Sequence, residues 1–196
     1  MENSRRRGRP GHDQGAVLTA AVRLFNTHGY DATSMFDIAE SLGITKSTLY
    51  HHVSGKEQLL TMAVDRALGA LEEAAREAIG SEAPAVVRLR NLIRASVLVL
   101  ADRLEFVTLL LRVHGNTVAE QHAVARRRAF DRIVTDLVRQ AQAEGGVRAD
   151  VDPATAARLI FGMVNSLIEW YRPDKGAPDS IADTVTALAF DGLRSH

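Results

Sequence analysis

Residues 32–60 read ATSMFDIAESLGITKSTLYHHVSGKEQLL. Two short amphipathic pieces, 34–42 and 46–52, flank Gly43-Ile44-Thr45, and that pattern is a helix-turn-helix. Thr33 and Thr45 stand just ahead of the two pieces, where a short hydroxyl side chain accepts a bond from an orphan backbone N–H. Gly43 permits the tight turn, and Ile38, Ala39, Leu42, Ile44 and Leu49 are the side chains that hold the pair together. Ser54 with Glu57 three residues on spells a capping box for a long helix that follows.

Working outward, the chain reads as helix on both sides. Towards the N-terminus, 14–28 carries Val17, Ala20, Ala21, Leu24 and Phe25 on one face and stops at Gly29. Ahead of it lies a basic arm with Arg5, Arg6, Arg7 and Arg9. Towards the C-terminus, Leu60, Ala63, Val64, Ala67, Leu68 and Leu71 recur at helical spacing up to Gly80. Ala83-Pro84, Gly145-Gly146, Pro153, Pro173 and 176–178 then punctuate helices expected at 85–101, 104–114, 117–144, 153–171 and 179–194. No alternating, β-branched run suggests a strand. The expectation is an all-α chain of about nine helices. Its parts would be an arm over 1–13, a reading domain with its connecting helix over 14–80, and a helical domain over 81–196.

Composition excludes several classes of function. The 196 residues carry 24 basic and 24 acidic side chains, so bulk charge does not favour nucleic acid and any such reading rests on the motif. The absence of cysteine removes disulfides, thiolate metal sites and cysteine nucleophiles. The polar start lacks the apolar stretch of a signal peptide, and the apolar run 92–101 is too short to cross a bilayer, so a cytoplasmic protein without a membrane partner is expected. No phosphate-cradling glycine loop, nucleophile elbow or HExxH motif is present. His51 and His52 diverge as helical neighbours, and His114 and His122 flank a break. No metal, cofactor or enzyme activity is therefore expected.

The second helix of the motif can project its N-terminal residues into a major groove. Lys46, Ser47 and Thr48 present donors there, Tyr50 and His51 extend the same exposed surface, and Lys56 at a helix start suits a phosphate. The segment from about 14 to 60 resembles the DNA-binding domain of TetR-family regulators, with Val53 standing where an aromatic residue is common. That resemblance implies a three-helix reader of double-stranded operator DNA, joined by a long fourth helix to a domain that binds a ligand and forms a homodimer. By the same resemblance Thr33, Ser34, Thr45, Thr48, Tyr50 and Lys56 hold phosphates, while Lys46, Ser47 and His51 read bases. Arg7-Gly8-Arg9-Pro10 resembles the core of an AT-hook, whose arginines suit a narrow minor groove.

In the C-terminal half, 153–171 is apolar on two faces, one with Ala156, Leu159, Ile160, Met163 and Leu167, the other with Ala157, Phe161, Val164 and Ile168. Gly162 and Ser166 allow close helix approach, and 179–194 supplies Ile181, Val185, Leu188 and Leu193. In TetR relatives the last two helices form a four-helix dimer interface, and a twofold dimer reads a palindromic operator. Phe106, Leu110, Phe130, Val134, Leu137, Phe161, Asn165 and Trp170 are candidates to line a ligand pocket. The segments 145–153, 162–173 and 181–193 are similar to a TetR subgroup that controls fatty-acid, aromatic-acid and steroid breakdown. That similarity implies a repressor released by an acyl-CoA thioester, with Arg127 and Arg128, in a cluster with Arg126 and Arg132, meeting its phosphates. The alternative is a repressor of an efflux system that senses hydrophobic drugs.

Overall fold

The computed structural model describes residues 13–174 and 176–193. Ten helices and no strands occur among them. The chain divides into two compact units between Met62 and Ala63.

The first unit contains α1 (Gln14–His28), α2 (Met35–Ser41), α3 (Lys46–His52) and the start of α4 (Lys56–Gly80). Asp13 caps α1 by accepting from the Ala16 amide at 2.7 Å. The cap of α2 is Ser34, one residue past Thr33, with a reciprocal bond to Asp37; Thr45 caps α3. Gly43 adopts φ 64°, a left-handed conformation in which a β-carbon would be strained, and this lets α3 turn back on α2. Val17, Ala21, Val22, Phe25, Ile38, Ala39 and Leu49 are buried between the three helices, and Val53 joins them; Leu42 and Ile44 are only partly covered. At α4 the expected partner of Ser54 differs. Its amide and hydroxyl both donate to Gln58 Oε1, at 2.5 and 2.9 Å, and not to Glu57.

The second unit contains the rest of α4 with α5 (Ala85–Asp102), α6 (Leu104–Arg112), α7 (Val118–Ala143), α8 (Pro153–Asn165), α9 (Leu167–Trp170) and α10 (Pro178–Leu193). α5 is the central helix, packed on both α7 and α10, and α8 packs on α7. Leu89, Leu92, Ile93, Val97 and Leu100 of α5 are buried for that reason. The expected division near residue 80 coincides with the end of α4, whereas the units part inside it. Beyond Met62 the helix is tied to the second unit by Arg126 of α7, whose guanidinium grips both carboxylate oxygens of Glu72 at 2.9 Å and donates to Asp65 at 2.5 Å.

The helix expected over 153–171 is interrupted. Ser166 donates its hydroxyl back to the Met163 carbonyl at 2.7 Å, a bond that competes with the helical ladder and separates α8 from α9. The connection 144–152 is close-packed: a β-carbon on Gly146 would come within 2.9 Å of Val86 Cβ. No helix among the described residues is long and apolar enough to cross a membrane.

Candidate functional site

In the first unit, α3 presents Lys46, Ser47, Thr48, Tyr50 and His51 to solvent along its outer face, because Leu49 alone is drawn into the core. The Thr45 hydroxyl accepts from the Thr48 amide at 3.1 Å and lies 2.9 Å from the Thr48 hydroxyl, which fixes the start of α3. Lys46 Nζ stands 5.9 Å from the centre of the Tyr50 ring. Ser34 is exposed at the start of α2, with Asp37 holding its amide and hydroxyl at 2.7 and 2.8 Å. Those bonds keep the Asp37 carboxyl below its ordinary range. The surface is a row of donors on one short helix, the arrangement suited to base edges and phosphates.

Two residues assigned to phosphate by resemblance sit differently. Thr33 is buried, and its hydroxyl donates to the Gly29 carbonyl at 2.8 Å, so its side chain secures the α1–α2 connection and does not face outward. Lys56 donates to the Tyr30 carbonyl at 2.8 Å and the Asp31 carbonyl at 3.3 Å, with its ammonium 4.4 Å from the Tyr30 ring centre. The charge therefore locks the start of α4 to the α1–α2 connection. Phe36, exposed on α2 beside this surface, escaped the sequence reading because an outward phenylalanine breaks the usual polarity rule. Arg7 and Arg9 lie outside the described residues.

In the second unit, a cavity of about 370 Å³ lies between α4, α5, α6, α7 and α8. Of the residues expected to line a pocket, Leu110, Phe130, Val134, Phe161, Asn165 and Arg127 do so. Four do not, and each is a correction. Phe106 is buried with the Arg66 guanidinium 4.8 Å from its ring centre, and Leu137 is buried further along α7. Trp170 lies past the Ser166 interruption and is 55% exposed. Arg128 is exposed, one step around α7 from Arg127 and off the lining face. Arg126 is held by Glu72 and Asp65 and so is not free to meet a phosphate.

The lining also includes polar residues that the sequence reading passed over: Asp131, Thr135 and Arg158. Arg127, Asp131 and Thr135 recur at one-turn spacing, a stripe readable in the sequence once α7 is known to face a cavity. Partial burial pushes the Asp131 carboxyl up, against the opposing pull of the Arg127, Arg132 and Arg158 charges. Among the described residues no group of three or more His, Asp or Glu could hold a metal.

Residues 17–62 match "Bacterial regulatory proteins, tetR family", and residues 82–193 match "Tetracyclin repressor-like, C-terminal domain". The chain belongs to the TetR family. It is thus a transcriptional regulator with an N-terminal helix-turn-helix domain, and not an enzyme. This TetR-family chain is similar to a family member of known structure from Streptomyces coelicolor A3, with 46% identity over 91% of both chains and a TM-score of 0.83. It is 27% identical over 187 residues, 92% of each chain, to the transcriptional repressor KstR2 of Mycobacterium tuberculosis. It is also similar to AibR, solved in complex with isovaleryl coenzyme A and operator DNA. That likeness has 30% identity, covers 90% of this chain and 97% of that one, and has a TM-score of 0.73.

Proposed function

We propose that this TetR-family regulator is a homodimeric repressor of the cytoplasm, released from a palindromic operator when an acyl-CoA thioester enters the cavity of its second unit. The observation that carries the reading is the cavity itself. Its walls include Leu68, Leu100, Val107, Leu110, Phe130 and Val134, and Arg127 and Arg158 also line it. An apolar chamber of about 370 Å³ stands at the small end of ligand pockets. It suits an acyl group whose bulky anionic nucleotide remains outside, near the exposed Arg128, Arg132 and Arg158. AibR, similar along most of its length, binds a ligand of that class together with operator DNA.

On the reading head, Lys46, Ser47 and His51 contact base edges, while Ser34, Thr45, Thr48 and Tyr50 contact phosphates. The fixed cap of α3 supports this, since it sets the direction of the helix before DNA arrives. Arg7 and Arg9 of the arm follow the adjoining minor groove.

The dimer face is formed by α8 and α10. Leu159 is 67% exposed and Leu188 61% exposed, with Gly162, Ser166 and Trp170 aligned on the same side of the α8–α9 segment as Leu159. Large apolar side chains left open on one face of two helices fit a second copy of the chain. Release then follows from linkage: an effector shifts the equilibrium only by its preference for the DNA-free form, and a tenfold loss of operator affinity needs about 1.4 kcal/mol of coupling.

The test is a gel shift on the DNA upstream of the protein's own gene, titrated with acyl-CoA esters and the matching free acids. Release by esters alone supports the reading. Release by hydrophobic drugs alone would replace it with the efflux alternative, and release by no compound would remove the sensor.

A further inference from the structure

Four of the polar residues that line the cavity stand at its two ends. α7 and α8 are joined by the short connection 144–152, so the two helices form a hairpin and run antiparallel. The rings of Phe130 and Phe161 meet edge to face with centres 5.3 Å apart, which fixes the level at which the helices face each other. Arg127, about one turn before Phe130, therefore shares one end of the cavity with Asn165, about one turn beyond Phe161. Thr135 and Arg158 share the opposite end. Along α8, Asn165 follows Arg158 on the same face by two turns, roughly 10 Å.

Among the described residues neither anchor is held by a partner within hydrogen-bond or ion-pair distance, although the Arg158 charge is felt by Asp131. Asn165 is half-buried and makes no side-chain hydrogen bond among the described residues, and Arg158 is exposed and makes no ion pair among them. At the Asn165 end the groups on offer include several donors. Asn165 brings its amide NH₂, and Arg127 keeps N–H groups beyond the one donated to the Leu110 carbonyl at 3.2 Å. Between the two ends Asp131 of α7 and Ser96 of α5 also line the cavity, and the other walls there are apolar. A cavity of this pattern matches a ligand with an anionic or thioester head, an apolar body and an oxygen acceptor at the far end.

We propose that the effector is polar at both ends: its head is met by Arg158, and a hydroxyl or keto oxygen at the far end of the acyl body is received by Asn165 and Arg127. This rests on the effector reading above and narrows it. A saturated acyl chain of the same length would enter the chamber but leave Asn165 facing carbon. Sites built to hydrogen-bond a substrate oxygen discriminate against analogues that lack it, because the site's own polar groups are then stranded.

Calorimetry on the full-length protein tests the proposal with octanoyl-CoA against omega-hydroxyoctanoyl-CoA, and with the two corresponding free acids. The expected result is that the hydroxylated ester binds about tenfold more tightly, the worth of one satisfied hydrogen bond of roughly 1.4 kcal/mol. Asn165→Leu should abolish that preference, so that the two esters bind with equal affinity. Asn165→Ala should do the same without added bulk, and covers the case in which leucine disturbs α8. Arg158→Gln should weaken both esters alike and leave their ratio unchanged. Equal binding of the two esters by the unaltered protein, or a preference that survives both Asn165 variants, overturns the proposal. If the free acids bind and the esters do not, the acyl-CoA reading fails while the two-ended preference is still decided on the acids. If none of the four binds, both fail.

Discussion

The two units of this chain carry their chemistry in opposite ways. In 13–62 the outward donors Lys46, Ser47, Thr48, Tyr50 and His51 lie within six consecutive positions of one helix, oriented by the Thr45 cap that accepts from the Thr48 amide. In 63–193 the cavity draws Leu68 from α4, Leu100 from α5, Leu110 from α6, Phe130 from α7 and Phe161 from α8, across almost a hundred positions of chain. The first arrangement survives as long as one short helix folds. The second exists only when five helices have packed. A local site is therefore sensitive to its own side chains, whereas a distributed one is sensitive to anything that moves a helix.

The largest effect expected is from a residue that touches no DNA in this scheme. Leu188→Asp puts a carboxylate on the proposed dimer face, and unpaired burial there should convert the dimer to a monomer. Operator affinity should then drop by about a hundredfold or more, since the second reading head no longer contributes. Light scattering and a gel shift check the two halves, and an unchanged dimer would place the interface elsewhere. Within the reading head, Lys46→Ala or His51→Ala should cost about 1–3 kcal/mol of operator binding, concentrated at one or two base positions. Losses spread evenly over all positions would turn these residues into phosphate contacts.

A packing change in the second unit should act through stability instead. Gly146→Ala forces a β-carbon to within 2.9 Å of Val86, and overpacking of this kind costs about 1–3 kcal/mol, read as a lower melting temperature. Thr33→Val is expected to remove about 1 kcal/mol of stability and leave operator affinity nearly unchanged, because the hydroxyl it deletes bonds to Gly29 and not to solvent. A clear loss of DNA binding at full folding would restore Thr33 to the phosphate set. The smallest effect concerns acid. Arg126 holds the Glu72 carboxyl below its ordinary value, so the pair stabilises the fold above the unfolded glutamate range and is lost as pH falls through the lowered value. Both partners are about a third exposed, which keeps the contribution under about 1 kcal/mol. Arg126→Gln should flatten the acid limb of a stability–pH curve by that amount, and an identical limb would show that the pair contributes nothing.

The same contrast explains what could be read from the sequence. α1, α3 and the turn at Gly43 follow from caps, breakers and a 3.6-residue period, all of them local, and the helix bounds 14–28 and 46–52 reappear unchanged. Leu110, Phe130, Val134 and Phe161 line the cavity as expected because large apolar residues on α6, α7 and α8 had little else to face. Phe106 and Leu137 have the same chemistry and sit in solid core, since periodicity marks an inward face without saying whether space lies behind it. Arg158, Asp131 and Thr135 were passed over for the converse reason: a polar or charged residue on a helix reads as solvent-facing until its neighbours are known. Lys56 and Thr33 were drawn outward by their chemistry, while contacts with Tyr30 and Gly29 hold them in place. The break at Ser166 depends on a side chain bonding back to its own helix, an event that a serine only permits.

Trp170 missed the cavity, yet its position gives the molecule a property of another kind. It is the sole tryptophan of the chain, it stands 55% exposed on the α8–α9 side that bears Leu159, and its indole N–H lies 3.4 Å from the Ser166 hydroxyl. Ultraviolet excitation at the red edge therefore addresses one place in each subunit, with no label and no competing indole. In a free subunit that emission is wet and long in wavelength; covered by a second subunit it shifts to the blue and resists iodide quenching. Dilution of the unmodified protein, followed in a fluorimeter, would then report the dissociation constant of the proposed dimer directly.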